Sequence, residues 1–272
     1  LFMKRNLLII GLLLTAIAAS AFEHFTINSK YVQSPADVIV ALPDGYDDKA
    51  ADAYPVVYML HGHGGNYKSW SSITNIDSLA TAYRVIIVCP DGRNSWYWDS
   101  PLIKDLQMES YITKELVPWV DKKYNTRADS TGRAITGLSM GGHGAMWLGL
   151  RHPDIWLNIG SMSGGVDIRP FPKKWNMAKS IGSKEQYPQR WDDYTVATLA
   201  TKVAPHKWNI IFDCGTEDFF YDVNRKLENT LKKRKMPHTY MNRPGIHNAA
   251  YWHDSAPLHL AFFDRYFYPK GH

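Results

Sequence analysis

The chain has 272 residues, 45% of them apolar, and carries a formal charge of +5 at neutral pH. That length suits one large α/β domain with a substantial core, and the charge is too small to argue for a nucleic-acid partner. Its two cysteines, Cys89 and Cys214, each close an apolar run and read as reduced core thiols, and no metal-ligand spacing is present.

The chain opens with Met3-Lys4-Arg5-Asn6, then an uncharged apolar run from Leu7 to Ala19, then Ala19-Ser20-Ala21. A positive start, a short apolar stretch and a small-residue cleavage site are the pattern of a secretory signal peptide. The run is short against the roughly 20 apolar residues that span a bilayer. The expectation is therefore a signal peptide over 1–21, with Leu1-Phe2 as a remnant before the initiator. Export to a periplasm or beyond would follow, with no stable membrane insertion after cleavage. Without Lys4 and Arg5, 29 basic residues face 26 acids over 22–272.

Residues 22–42 favour extended structure, ending at the turn Pro43-Asp44-Gly45. Tyr54 to Leu60 reads as a buried strand running into His61-Gly62-His63-Gly64-Gly65-Asn66. This glycine-rich loop lacks the endings of a P-loop or a dinucleotide fingerprint, so phosphate binding is discounted. A helix is expected over Ile73–Tyr83, a strand over Arg84–Cys89, and a loop bearing Trp96-Tyr97-Trp98. Apolar residues from Met108 to Val120 keep helical spacing, with acids early and lysines late, which predicts an amphipathic helix over 105–123.

Arg133-Ala134-Ile135-Thr136-Gly137 is a short strand, followed by Leu138-Ser139-Met140-Gly141 and a small-residue helix over 142–150. Gly-x-Ser-x-Gly between strand and helix is the nucleophile elbow, a sharp bend that exposes the serine hydroxyl. A strand over 156–162 follows. Residues 164–207 lack a strand signal, include a helix near 191–201, and read as an insertion over the catalytic face. Then come a strand over 208–213, a helix over 221–235 closed by Lys232-Lys233-Arg234-Lys235, a strand over 238–242 and a last helix over 255–268. Alternation of this kind predicts an α/β fold, a mainly parallel sheet with helices on both faces. There is no internal repeat and no linker that would divide residues 22–272.

Ligands of such folds sit at the carboxyl edge of the sheet. Three turns there hold the chemistry. Ser139 leaves the elbow, Glu217-Asp218 follow the strand ending at Asp213, and His247 follows the strand ending at Asn242. The order Ser, acid, His is that of α/β-hydrolases. A serine hydroxyl needs a base to take its proton, and His247 with Asp218 would supply one. Glu217 is the nearest rival for the acid, and Asp213 and Asp222 are remoter ones. His143, one helical turn from Ser139, is the rival base but reads as structural, and His253 and His259 fall in or near the last helix. Backbone N–H groups of His63 and Met140 are the expected oxyanion hole, with His61 bracing the glycine loop. Three consecutive aromatics cannot all face one core, so at least one of Trp96, Tyr97 and Trp98 is expected to line the site. Trp175 and Trp191 of the insertion suit stacking on a sugar or phenolic ring.

The set His61-Gly62-x-Gly64-Gly65, Asn94-Ser95-Trp96-Tyr97, Gly137-Leu138-Ser139-Met140-Gly141-Gly142, Cys214-Gly215-Thr216-Glu217-Asp218-Phe219 and Gly245-x-His247 resembles the putative-esterase family of α/β-hydrolases. That family includes S-formylglutathione hydrolases, tributyrin esterases, mycolyltransferases, and acetyl and feruloyl esterases. The resemblance implies an α/β-hydrolase fold, Ser139, Asp218 and His247 as a catalytic triad, and no cofactor. His63 stands where the family varies. The expected function is an exported serine carboxylesterase acting on a small ester or acylated glycan, acetyl or feruloyl. A short-chain acyl esterase or S-formylglutathione hydrolase, an acyltransferase and a non-catalytic carbohydrate-binding relative are the alternatives.

Overall fold

The computed structural model describes residues 22–33, 35–204 and 206–271. The expected signal peptide, 1–21, lies outside them. Eight strands form one sheet: β1 Glu23–Ile27, β2 Ala36–Ala41, β3 Val56–Leu60, β4 Ile86–Pro90, β5 Arg133–Gly137, β6 Asn158–Met162, β7 Asn209–Gly215 and β8 His238–Arg243. Their spatial order is β1-β2-β4-β3-β5-β6-β7-β8. β2 runs antiparallel to both neighbours, and all pairings from β4 to β8 are parallel. The central strands β3 to β6 are buried at every position, as continuous apolar runs require when both faces are covered.

Helices fill both faces. α1 Ser69–Ile73, α2 Ile76–Ala82 and the long C-terminal helix pack on one side through Trp70, Leu79, Leu260 and Phe263. The single helix expected over Ile73–Tyr83 is thus two, because Asn75 breaks the chain and caps the second by accepting from the Ser78 N–H at 2.9 Å. On the other side lie α3 Met108–Tyr111, a π turn over Ile112–Leu116 and α4 Val117–Lys123. The wide turn stands directly before Pro118, whose ring would crowd the Lys114 carbonyl in a regular helix. α5 Met140–Arg151 runs from the elbow on the same side.

The segment 164–207 contains α6 Met177–Ile181, α7 Pro188–Asp193 and α8 Val196–Lys202. Its Val166, Ile168, Met177, Ile181, Trp191 and Val196 are buried in the same apolar core as β3, α5 and α9 Tyr221–Lys233. α10 spans Ala249–Phe267, starting earlier than Ser255 because Asn248 caps it at the Tyr251 N–H, 3.0 Å away. Pro257 lies inside this helix rather than at its start.

Two registers place the site. Leu60 pairs with Gly137, so the glycine loop and the elbow leave the same sheet edge side by side. Gly215 pairs with Arg243, which sets the turn carrying Asp218 against the one carrying His247.

Candidate active site

Ser139 sits between β5 and α5 with φ 56° and ψ −115°, a conformation that costs a residue with a side chain about 1–3 kcal/mol. The surrounding backbone holds it there. Its N–H donates to the Met162 carbonyl at 2.9 Å, and its carbonyl accepts from the N–H groups of His143 and Gly165. A Cβ at Gly137 would stand 2.5 Å from the Gly141 carbonyl carbon and 2.7 Å from the Leu60 carbonyl oxygen. One at Gly141 would strike the Leu60 carbonyl from the other side. The glycines flanking the serine are therefore a packing requirement between β3, β5 and α5.

The structure brings Ser139, His247 and Asp218 together. His247 Nε2 lies 2.9 Å from Ser139 Oγ, and His247 Nδ1 lies 2.7 Å from Asp218 Oδ2. The Asp218 side chain is fully buried, and its other oxygen accepts from the Phe220 N–H at 2.8 Å. The imidazole is enclosed by Phe219 (centroids 4.3 Å apart) and meets Trp252 edge-on at 4.9 Å. Such a chain fixes the proton on Nδ1 and leaves Nε2 facing the serine hydroxyl, the geometry general-base catalysis needs.

The rivals stand elsewhere. Glu217 and Asp222 are exposed, and Asp213 is buried against α10. His143 is fully buried, with Nε2 accepting from Trp98 Nε1 at 2.9 Å and Nδ1 donating to the Gly165 carbonyl at 3.0 Å. Burial pushes its pKa down to about 4, so it stays neutral. His253 pairs with Asp254 on the surface, and His259 with Asp213 inside.

His61 bridges two loops: Nε2 accepts from the Gly92 N–H at 2.8 Å and Nδ1 donates to the Gly62 carbonyl at 2.7 Å. Tyr97 Oη donates to the His61 carbonyl at 3.0 Å, and the Tyr97 ring fills the space left by the missing side chains of Gly92 and Gly144. Among the described residues, neither the His63 nor the Met140 N–H donates to another backbone carbonyl. Met140 opens α5, where N–H groups lack helical partners. Burial lowers the pKa of the His63 ring.

A cavity of about 360 Å³ opens over Ser139 and His247, walled by the 62–65 loop, Ile73, Leu138, Trp175, Phe219 and Trp252. Trp175 thus lies where a substrate wall was expected. The Trp96-Tyr97-Trp98 loop does not: all three side chains are buried, at 1%, 0% and 0% exposure. Trp96 and Tyr97 both adopt positive φ (56° and 63°), which coils the backbone so that consecutive rings turn inward. Trp96 and Trp98 stack at 5.7 Å and each meets His143 edge-on. Trp191 is likewise buried, its Nε1 donating to the Gly182 carbonyl. Phe219 and Trp252 went unnoticed in the sequence as wall residues. Their only signal was adjacency, one beside Asp218 and one a helical turn beyond Asn248.

The family model described as "Putative esterase" matches residues 29–262. The chain belongs to this esterase family. The esterase is 26% identical over 252 residues to the acetyl esterase of Caldicellulosiruptor saccharolyticus, covering 85% of this chain and 94% of that one. It is 31% identical over 241 residues to an esterase of Mycobacterium tuberculosis, covering 77% of this chain but 52% of that longer protein. A solved ferulic acid esterase superposes with a TM-score of 0.78 at 26% identity, over 90% of this chain and 98% of that one. The fold is that of the α/β-hydrolases, and the esterase is a hydrolase of carboxylic esters.

Proposed function

We propose that the esterase is an exported serine carboxylesterase that works through an acyl-enzyme, with Ser139 as nucleophile, His247 as base and Asp218 as the carboxylate that orients it. The observation carrying this reading is the unbroken chain Asp218–His247–Ser139 at 2.7 and 2.9 Å, opening into the cavity. His247 takes the serine proton as Oγ attacks the ester carbonyl, then gives it to the leaving alcohol. The His63 and Met140 N–H groups receive the developing oxyanion, each worth about 2.7–4 kcal/mol in the transition state. Water, activated by the same histidine, then releases the acid.

The cavity's aromatic wall argues for an aromatic acyl group on a glycan, of feruloyl type. Trp175 and Phe219 are stacked at 5.8 Å, and Trp252 also lines the cavity. An acetyl group would touch little of that surface, although the Caldicellulosiruptor relative, an acetyl esterase, supports an acetyl substrate as the second reading. Export rests on the signal-peptide pattern of residues 1–21.

Steady-state kinetics on methyl ferulate, acetylated xylan, short triglycerides and S-formylglutathione test the reading. The highest kcat/KM is expected on methyl ferulate. A preference for acetylated xylan would favour the second reading, and a preference for S-formylglutathione would refute both. Expression with residues 1–21 present should give a secreted product beginning at Phe22.

A further inference from the structure

Behind the triad, on the α10 side of the sheet, lies a second polar cluster. Asp213, within β7, is fully buried. Burial pushes its carboxyl up, but His259, Ser255 and Arg243 together hold it below the ordinary carboxylate value. Ser255 Oγ donates to Asp213 Oδ2 at 2.5 Å, His259 Nε2 to Oδ1 at 3.2 Å, and Arg243 Nη2 reaches Oδ2 at 3.3 Å. His259 Nδ1 lies 2.9 Å from Thr136 Oγ1, in space that a side chain at Gly160 would fill.

Each strand member of this cluster stands just before a triad residue. Thr136 precedes Ser139 on β5, Asp213 precedes Asp218 on β7, and Arg243 ends β8 before His247. Arg243 does most to join them. Its Nη2 also donates to the Tyr251 carbonyl at 3.1 Å and to Ser255 Oγ, and its guanidinium lies 4.0 Å over the Tyr251 ring. That ring packs against Gly245, where a Cβ would stand 2.5 Å from it. The Arg243 and Gly245 carbonyls accept from the N–H groups of Thr216 and Glu217, tying the His247 loop to the Asp218 turn. Arg243 is therefore clamped on both flanks of the His247 loop, to α10 after it and to the Asp218 turn beside it.

We infer that Arg243, anchored by the buried Asp213–Ser255–His259 cluster, is a positioning residue that holds the His247 loop against Ser139. The inference rests on the proposed role of His247. A guanidinium suits the task because its planar group stacks on the Tyr251 ring while Nη2 reaches the buried cluster, whereas an ammonium is a point charge with no plane to stack. Displacing a catalytic group by about 1 Å costs on the order of 100-fold in rate.

The test is the hydrolysis of p-nitrophenyl acetate by wild type, Arg243→Ala, Arg243→Lys and Ser255→Ala, with thermal unfolding followed in parallel. Arg243→Ala is expected to lose about 100-fold in kcat with KM within about twofold. Low millimolar guanidinium chloride should restore a measurable part of that loss, and sodium chloride should not. Arg243→Lys should fall between the two. A folded Arg243→Ala with wild-type kcat, or a loss that guanidinium does not relieve, overturns the inference. If Arg243→Ala does not fold, Ser255→Ala decides: a severalfold fall in kcat at constant KM supports the clamp, and an unchanged kcat overturns it. An inactive wild type would overturn the esterase reading as well, which separates the two failures.

Discussion

Phe219 lies over the His247 ring at a tilt of 39°, while half of its own surface, 52%, faces solvent. An exposed phenylalanine beside His247 covers part of the imidazole and lines the cavity together with Trp175. Replacing it by alanine removes wall rather than core. Phe219→Ala should lower kcat/KM on methyl ferulate about tenfold, equivalent to about 1.4 kcal/mol, with the melting temperature nearly unchanged. Steady-state kinetics on methyl ferulate and p-nitrophenyl acetate check this, since the smaller ester should be affected less.

Asp218 and Glu217 are neighbours in sequence and opposites in environment, one with a fully buried side chain bonded to His247, the other exposed. Asp218→Asn keeps the shape but loses the charge that selects the imidazole tautomer, so kcat should drop by about 10⁴-fold. Glu217→Gln should stay within about twofold of wild type. A larger loss from Glu217→Gln would reverse the assignment.

His143 makes acid stability a readout of the aromatic loop. Its folded pKa of about 4 lies below the ordinary 6.5 because burial disfavours the cation. Between those values the unfolded chain takes up the proton and the folded chain does not. The stability His143 contributes is thus complete above about pH 6.5 and is lost as pH falls toward 4, about 3 kcal/mol in all. Urea unfolding between pH 7 and 4 should show this decline, and His143→Gln should flatten it.

Gly141 and Gly144 answer to different neighbours. A methyl at Gly141 meets the Leu60 carbonyl, which is backbone in the middle of the sheet, and one at Gly144 meets the Tyr97 ring. Gly141→Ala should destabilise by at least about 2 kcal/mol in urea unfolding. Gly144→Ala should recover much of its loss when combined with Tyr97→Leu, a coupling that a double-mutant cycle would read.

The strands and the elbow were legible because buried parallel strands are continuous apolar runs and because the bend at Ser139 admits only glycine at its flanks. Asp218 and His247 followed from chain order and strand ends. The aromatic loop was misread because alternation of side chains holds for extended backbone, and Trp96 and Tyr97 are in the left-handed region instead. Nothing in the identities of those residues announces positive φ. Trp252 was hidden because α10 begins at Ala249, six positions before the expected Ser255, which placed Trp252 outside any helix. The buried Asp213–His259 pairing escaped because it joins β7 to α10 across the chain, and sequence spacing carries no trace of it.

The measurement that bears most directly on the account is Ser139→Ala assayed on p-nitrophenyl acetate and methyl ferulate, with folding verified by circular dichroism. Turnover on both esters should fall by on the order of 10⁵-fold or more in a normally folded protein. Retention of wild-type turnover would contradict this, because Ser139 Oγ is the hydroxyl that His247 Nε2 faces.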